Sequence, residues 1–168
     1  NLVDDSKLLA QDLAFLSNLF LIFVHSFAMV SAGCEHTVLL LLVLLLRSHG
    51  AAVACGNNED GQCTIPPLGE GMSYTQVSAG GDHTVLLRSD GTAVACGHNE
   101  DGQCTIPPLD EGMSYTQVSA GGDHADHAVL LRSDSTAAAC GNNEYQQCTM
   151  PHLGEGMSYT QVSAGEGH

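Results

Sequence analysis

The chain has no tryptophan, and it sets only four basic residues against 19 acidic ones in 168 positions. Without tryptophan, light absorption by stacked indoles is excluded. The formal charge of −15 argues against direct DNA or RNA binding, because phosphate backbones are bound by clustered lysine and arginine that displace counterions. A basic partner, or a divalent cation held loosely by acidic loops, suits this field better. Also missing are a nucleophile elbow, a phosphate-cradling glycine loop and a zinc-protease helix. No enzyme chemistry and no cofactor are therefore expected.

What the sequence has is repetition. The block VSAGGDHTVLLRSDGTAVACGHNEDGQCTIPPL, beginning at Val77, is written nearly three times, with Cys96 following Cys55 by 41 residues and Cys140 following Cys96 by 44. Such a period marks an array of one small unit. The units are read as 30–76, 77–117, 118–161 and a partial 162–168, preceded by a non-repeat hydrophobic segment 1–29 expected to be helical. The chain begins at Asn1 and stops inside a unit, so it reads as a piece of a longer or processed product.

Within a unit, short runs of Val, Leu, Thr and Ala are punctuated by Gly, Asn and Pro, the pattern of short strands joined by tight turns. In the second unit strands are expected near SYTQVSA, HTVLLRS, TAVACG and QCTIP, with a turn at Ser89-Asp90-Gly91 and a loop from Asn99 to Gln103. Four short antiparallel strands in about 40 residues describe a propeller blade. The fold class is thus all-β, a partial β-propeller of about three four-stranded blades with an N-terminal hydrophobic helix. Three and a fraction blades cannot close a ring, so open blade edges predict self-association.

Two insertions bear on this map. In the third unit Ala125, Asp126 and His127 are read as added residues in the loop ahead of a strand. In the first, nine consecutive apolar residues from Val38 to Leu46 predict a distorted blade. The third unit also replaces Gly91 by Ser135, Asp101-Gly102 by Tyr145-Gln146 and Pro108 by His152, so its loops are expected to be the least regular. The uncharged run from Leu13 to Val30 is long enough to reach the lower limit of a membrane span, and reads as an anchor or signal, a capping helix, or misjoined sequence.

The succession VSAG-x-x-HT-x-x-L-x-x-DG, then ACG-x-N, then a Gly-Gln turn, resembles the repeats of the regulator of chromosome condensation family from Val30 onward. The resemblance implies a propeller of four-stranded blades and a cytoplasmic or nuclear setting, with membrane tethering through 13–30 as an alternative. It departs from the family at Cys55, Cys96 and Cys140, where tryptophan is common.

The repeat also weighs each tempting residue. His36, His83, His127 and His168 share one position and are read as structural, their rings bonding buried backbone of a neighbouring turn. Arg47, Arg88 and Arg132 are expected to pair with a carboxylate of the same or next unit. The pairs Cys55/Cys63, Cys96/Cys104 and Cys140/Cys148 read as small buried thiols or as a cross-strand disulfide in each unit, with Cys34 left over. Seven intervening residues fit no zinc knuckle. Asn58-Glu59-Asp60 and Asn99-Glu100-Asp101 suggest a calcium loop, but counting back from Gly61 puts Gly56 at its first position and Pro67 at its twelfth. Turn formation is the better account.

The function expected is a non-catalytic protein-interaction scaffold. Its partner loops would be Asn58, Glu59, Asp60, Asn99, Glu100, Asp101, Asn143, Glu144 and Tyr145. The alternative is part of a regulatory protein, either a nucleotide-exchange factor for a small GTPase or the substrate-recruiting portion of a ubiquitin ligase.

Overall fold

The computed structural model describes residues 27–33, 36–41, 50–122 and 126–165. The expected helix up to residue 26, Cys34, Arg47 and His168 lie outside them. Among the described residues nine strands form three antiparallel sheets in chain order. The first contains β1 (Phe27–Ala32), β2 (His36–Leu41) and β3 (Ala51–Gly56). The second contains β4 (Tyr74–Ala79), β5 (His83–Arg88) and β6 (Ala93–Gly97). The third contains β7 (Tyr115–Gly121), β8 (His127–Arg132) and β9 (Ala137–Gly141). Among the described residues there is no helix.

The sheets are three-stranded, and the fourth strand expected at QCTIP carries no ladder. Proline supplies no N–H, and here two stand in succession at Pro66-Pro67 and Pro107-Pro108. Those segments still pack by side chain: Ile65 and Leu68 cover the Tyr74–Leu86 cluster, and Ile106 and Leu109 cover the Tyr115–Leu130 cluster.

The expected unit boundaries at 77 and 118 fall inside β4 and β7, and β1 starts at Phe27, within the segment assigned to the helix. Periodicity fixes the length of a repeat and leaves its phase free. Each opening strand carries the same bulge, between Phe27 and Met29, Tyr74 and Gln76, and Tyr115 and Gln117. The extra residue lets Tyr74 and Val77, three apart, both face inward, after which Ala79 resumes the two-residue alternation. The middle strands β5 and β8 are buried on both faces over His83–Leu87 and His127–Leu131, as an apolar strand between stacked sheets must be.

Successive sheets meet through their opening strands. Ser31 Oγ accepts the Ala79 N–H at 2.9 Å, Ser78 Oγ the Ala120 N–H at 3.0 Å and Ser119 Oγ the Ala164 N–H at 2.9 Å. Gln76 Oε1 accepts from Val118 N–H at 2.8 Å, and Gln117 both accepts from and donates to the Val162 backbone. One polar face therefore recurs at each junction. Residues 159–165 carry it onward, with Tyr159, Val162 and Ala164 packed against Val129 and Leu131. The approach is close enough to require glycine: a Cβ on Gly121 would lie 2.5 Å from the Gly165 carbonyl oxygen.

In the first blade β2 pairs β3 without a register break from His36–Gly56 to Leu41–Ala51, while 42–46, the rest of the apolar run expected to distort it, lies outside the described residues. In the third, Ser135 and Gln146 adopt φ of 67° and 68°, where Gly91 and Gly102 have 80° and 82°. The turn bonds survive: Ser135 N–H to Arg132 O matches Gly91 N–H to Arg88 O at 3.0 Å.

Candidate functional site

Each unit raises an acidic loop after its third strand, and asparagine shapes it from within. Asn58 Oδ1 accepts the Cys63 N–H at 2.8 Å, Asn99 Oδ1 the Cys104 N–H at 2.8 Å and Asn143 Oδ1 the Cys148 N–H at 2.9 Å. A glutamine closes the same loop, Gln62 Oε1 taking the Asp60 N–H and Gln103 Oε1 the Asp101 N–H, both at 3.1 Å. Gln62 and Gln103 are fully buried. Sequence reading assigned the asparagines to the partner surface, and the structure makes them loop staples. It also missed these glutamines, whose signal is the invariant letter after each loop. Glu59, Asp60, Glu100, Asp101, Glu144 and Tyr145 remain outward, with Tyr145 68% exposed. Asn142 Nδ2 donates to Asp101 Oδ2 at 3.0 Å, joining the second and third loops.

Beneath the loops lie the histidines. His36, His83 and His127 are buried, as a structural role requires. His36 has a side-chain partner beside the turn backbone at Gly81: its Nε2 lies 2.7 Å from Thr84 Oγ1, and that hydroxyl donates to the Gln62 carbonyl at 2.9 Å. A hydroxyl has one proton, so His36 Nε2 is the donor. Burial lowers the His36 pKa and nearby His83 adds to this, against Asp82, Asp126 and the Gly81 carbonyl. In the next junction His83 Nδ1 stands 3.6 Å from Asp126 Oδ2, beyond hydrogen-bond length. Burial opposes the Asp126 charge, yet His83, the Asp82 N–H and Gln103 hold its pKa below the usual carboxylate value. Asn142 N–H binds Asp126 O as His98 N–H binds Asp82 O, so Asp126 and His127 are the counterparts of Asp82 and His83. The three added residues are consequently 123–125, outside the described residues, and not 125–127.

Arg88 and Arg132 lie at the phenols of Tyr74 and Tyr115, and each also adds to the lowering of a carboxylate pKa in its own unit, at Asp90 and Asp134, that hydrogen bonds from Thr92 and Thr136 chiefly cause. Burial raises the pKa of Tyr74 and Tyr115, and the two guanidinium groups at the phenols work against it. The phenols donate to Pro66 O at 2.6 Å and Pro107 O at 2.7 Å, and Tyr159 repeats this with Pro151 O at 2.6 Å. At this end of the strands two grooves of about 430 and 400 Å³ open. Ile65, Leu68, Met72 and Glu70 line the first, and Met150, Leu153, Met157 and Asp134 the second.

Cys55, Cys63, Cys96, Cys104, Cys140 and Cys148 are free thiols, and none of the six is fully buried as the first cysteine reading expects. Burial pushes Cys96 and Cys140 up to about 11 and Cys104 up to about 12. Only Cys55 of the six is exposed. Thiolate is the reactive form, so iodoacetamide at pH 8 is expected to label Cys55 first and Cys96, Cys104 and Cys140 at least about tenfold more slowly. Mass spectrometry of timed digests checks the order.

Residues 74–103 match the regulator of chromosome condensation (RCC1) repeat. No curated protein matches the chain. Among solved structures it is similar to Prp20p from Saccharomyces cerevisiae, at 19% identity and a TM-score of 0.59, over 77% of this chain and 34% of that one. It is similar also to yeast RCC1 (Prp20) bound to Kap60, at 17% identity and 0.64, over 83% and 40%. The CRINKLY WD40 ectodomain of the Arabidopsis thaliana receptor kinase ACR4 aligns at 22% identity and 0.61, over 83% and 49%. The chain thus spans a third to a half of these solved chains. With the repeated sheets, bulges and junctions, these likenesses show adjoining blades of a β-propeller fold, of which residues 74–103 match the regulator of chromosome condensation repeat.

Proposed function

We propose that the chain is a non-catalytic protein-interaction scaffold whose acidic loops, one per blade, take a basic segment of a partner protein. The observation that carries this reading is the division of labour in each loop. Asparagine and glutamine pin the backbone from within, while Glu59, Asp60, Glu100 and Asp101 face solvent. Preorganised loops with unneutralised charge favour fast, salt-sensitive association. Copying the same side chains from blade to blade suits a multivalent surface better than a single reaction centre. Prp20p, one of the proteins of similar structure, has binding properties to Gsp1p and histones, which supports a protein partner in general terms.

The test is titration with a lysine- and arginine-rich peptide, beside a matched acidic one, at two salt concentrations. The basic peptide is expected to bind and to weaken as salt rises. Changing Glu59, Asp60, Glu100 and Asp101 together to their amides should weaken binding about tenfold or more, since exposed charge pairs contribute up to ~1 kcal/mol each. Binding indifferent to salt and to these changes contradicts the reading. Accelerated nucleotide release from a small GTPase would favour the exchange-factor alternative instead.

A further inference from the structure

The junction between the first and second blades carries a relay, His36 Nε2–H to Thr84 Oγ1–H to the Gln62 carbonyl. The register makes residue 128 the counterpart of Thr84: Thr84 faces Ala79 and Cys96, and residue 128 faces Ala120 and Cys140. Residue 128 is alanine, so the relay between the second and third blades lacks its hydroxyl. The groups on either side are kept. His83 and Gln103 are fully buried, and among the described residues His83 Nε2 has no hydrogen-bond partner. Cys140 Sγ approaches the Gln103 carbonyl at 3.5 Å, as Cys96 Sγ approaches that of Gln62, but the second lone pair that Thr84 fills at Gln62 has no counterpart donor at residue 128.

We propose that one buried water molecule takes the place of the missing threonine hydroxyl, hydrogen-bonded to His83 Nε2 and donating to the Gln103 carbonyl. An imidazole nitrogen left bare in a sealed interior is costly, and buried polar groups without a protein partner are the places where proteins hold structural water. Threonine exceeds alanine by a methyl and a hydroxyl, about the volume that one water needs. The water would be a fixed part of the blade junction.

Two substitutions of equal shape test this. Ala128→Thr supplies the hydroxyl and should raise Tm by a few degrees with displacement of the water. Ala128→Val fills the same space without a hydroxyl and should lower Tm below that of the parent by stranding His83. A high-resolution crystal structure of the parent chain should show the water within hydrogen-bond distance of His83 Nε2 and Gln103 O. A valine variant at least as stable as the threonine variant, or a dry junction, would overturn the proposal.

Discussion

Replacing Gly97 with alanine is expected to cost about 3 kcal/mol or more, the sum of a backbone strain of ~1–3 kcal/mol and a steric clash. Gly97 sits at φ +117°, which side chains rarely adopt, and its Cβ would lie 2.3 Å from the Asp82 oxygen and 2.7 Å from His83 Cα. Neither atom can yield easily. His98 N–H holds the Asp82 carbonyl at 2.9 Å, and His83 opens a strand buried on both faces. Gly141 repeats the arrangement at φ +111°, with Asp126 O at 2.5 Å. Gly112 is the control, since its φ is +80° and nothing stands within 4 Å of its Cβ position. Gly112→Ala should cost only about 1 kcal/mol. Urea unfolding of the three proteins measures the difference, and equal losses at Gly97 and Gly112 would remove the steric argument.

The second large effect is expected at Leu130. It is fully buried in a cluster that draws Val85 and Leu87 from β5, Tyr115 and Val118 from β7, and Ala138 from β9. That cluster is the interface between the second and third blades, so its loss loosens both. Leu130→Ala should cost about 2–5 kcal/mol, because the surrounding sheets cannot collapse into the space left. Val53, 53% exposed on β3, should lose under about 0.5 kcal/mol as alanine. Denaturant midpoints at equal m-value test the pair, and a small loss at Leu130 would mean that the blades do not share a core.

Much of this was legible in the letters. The 41-residue spacing and the runs HTVLLRS and TAVACG announced repeated sheets, and the Asp90-Gly91 pair announced the turn between β5 and β6. Histidine burial followed from its recurrence in every unit. What was not legible has physical causes. The phase of the repeat depends on a bulge at Tyr74–Gln76, which has no sequence signature. QCTIP has strand-like composition, but the prolines after it withhold ladder donors. The arginines were assigned carboxylates because charge suggests charge, and the tyrosine phenols that they also reach had no such signal. Asn58 and Asn99 were read both as turn formers and as part of the partner loops, and the letters do not show that their oxygens accept the Cys63 and Cys104 N–H groups.

The central claim is that the sheets stack through their opening strands around a common axis, and inter-strand nuclear Overhauser contacts test it most directly. Cross-peaks are predicted between Ser31 and Ala79, Ser78 and Ala120, and Ser119 and Ala164, at sequence separations of 48, 42 and 45. Ladder contacts joining β3 to β4 or β6 to β7, the mark of one continuous sheet, would contradict it.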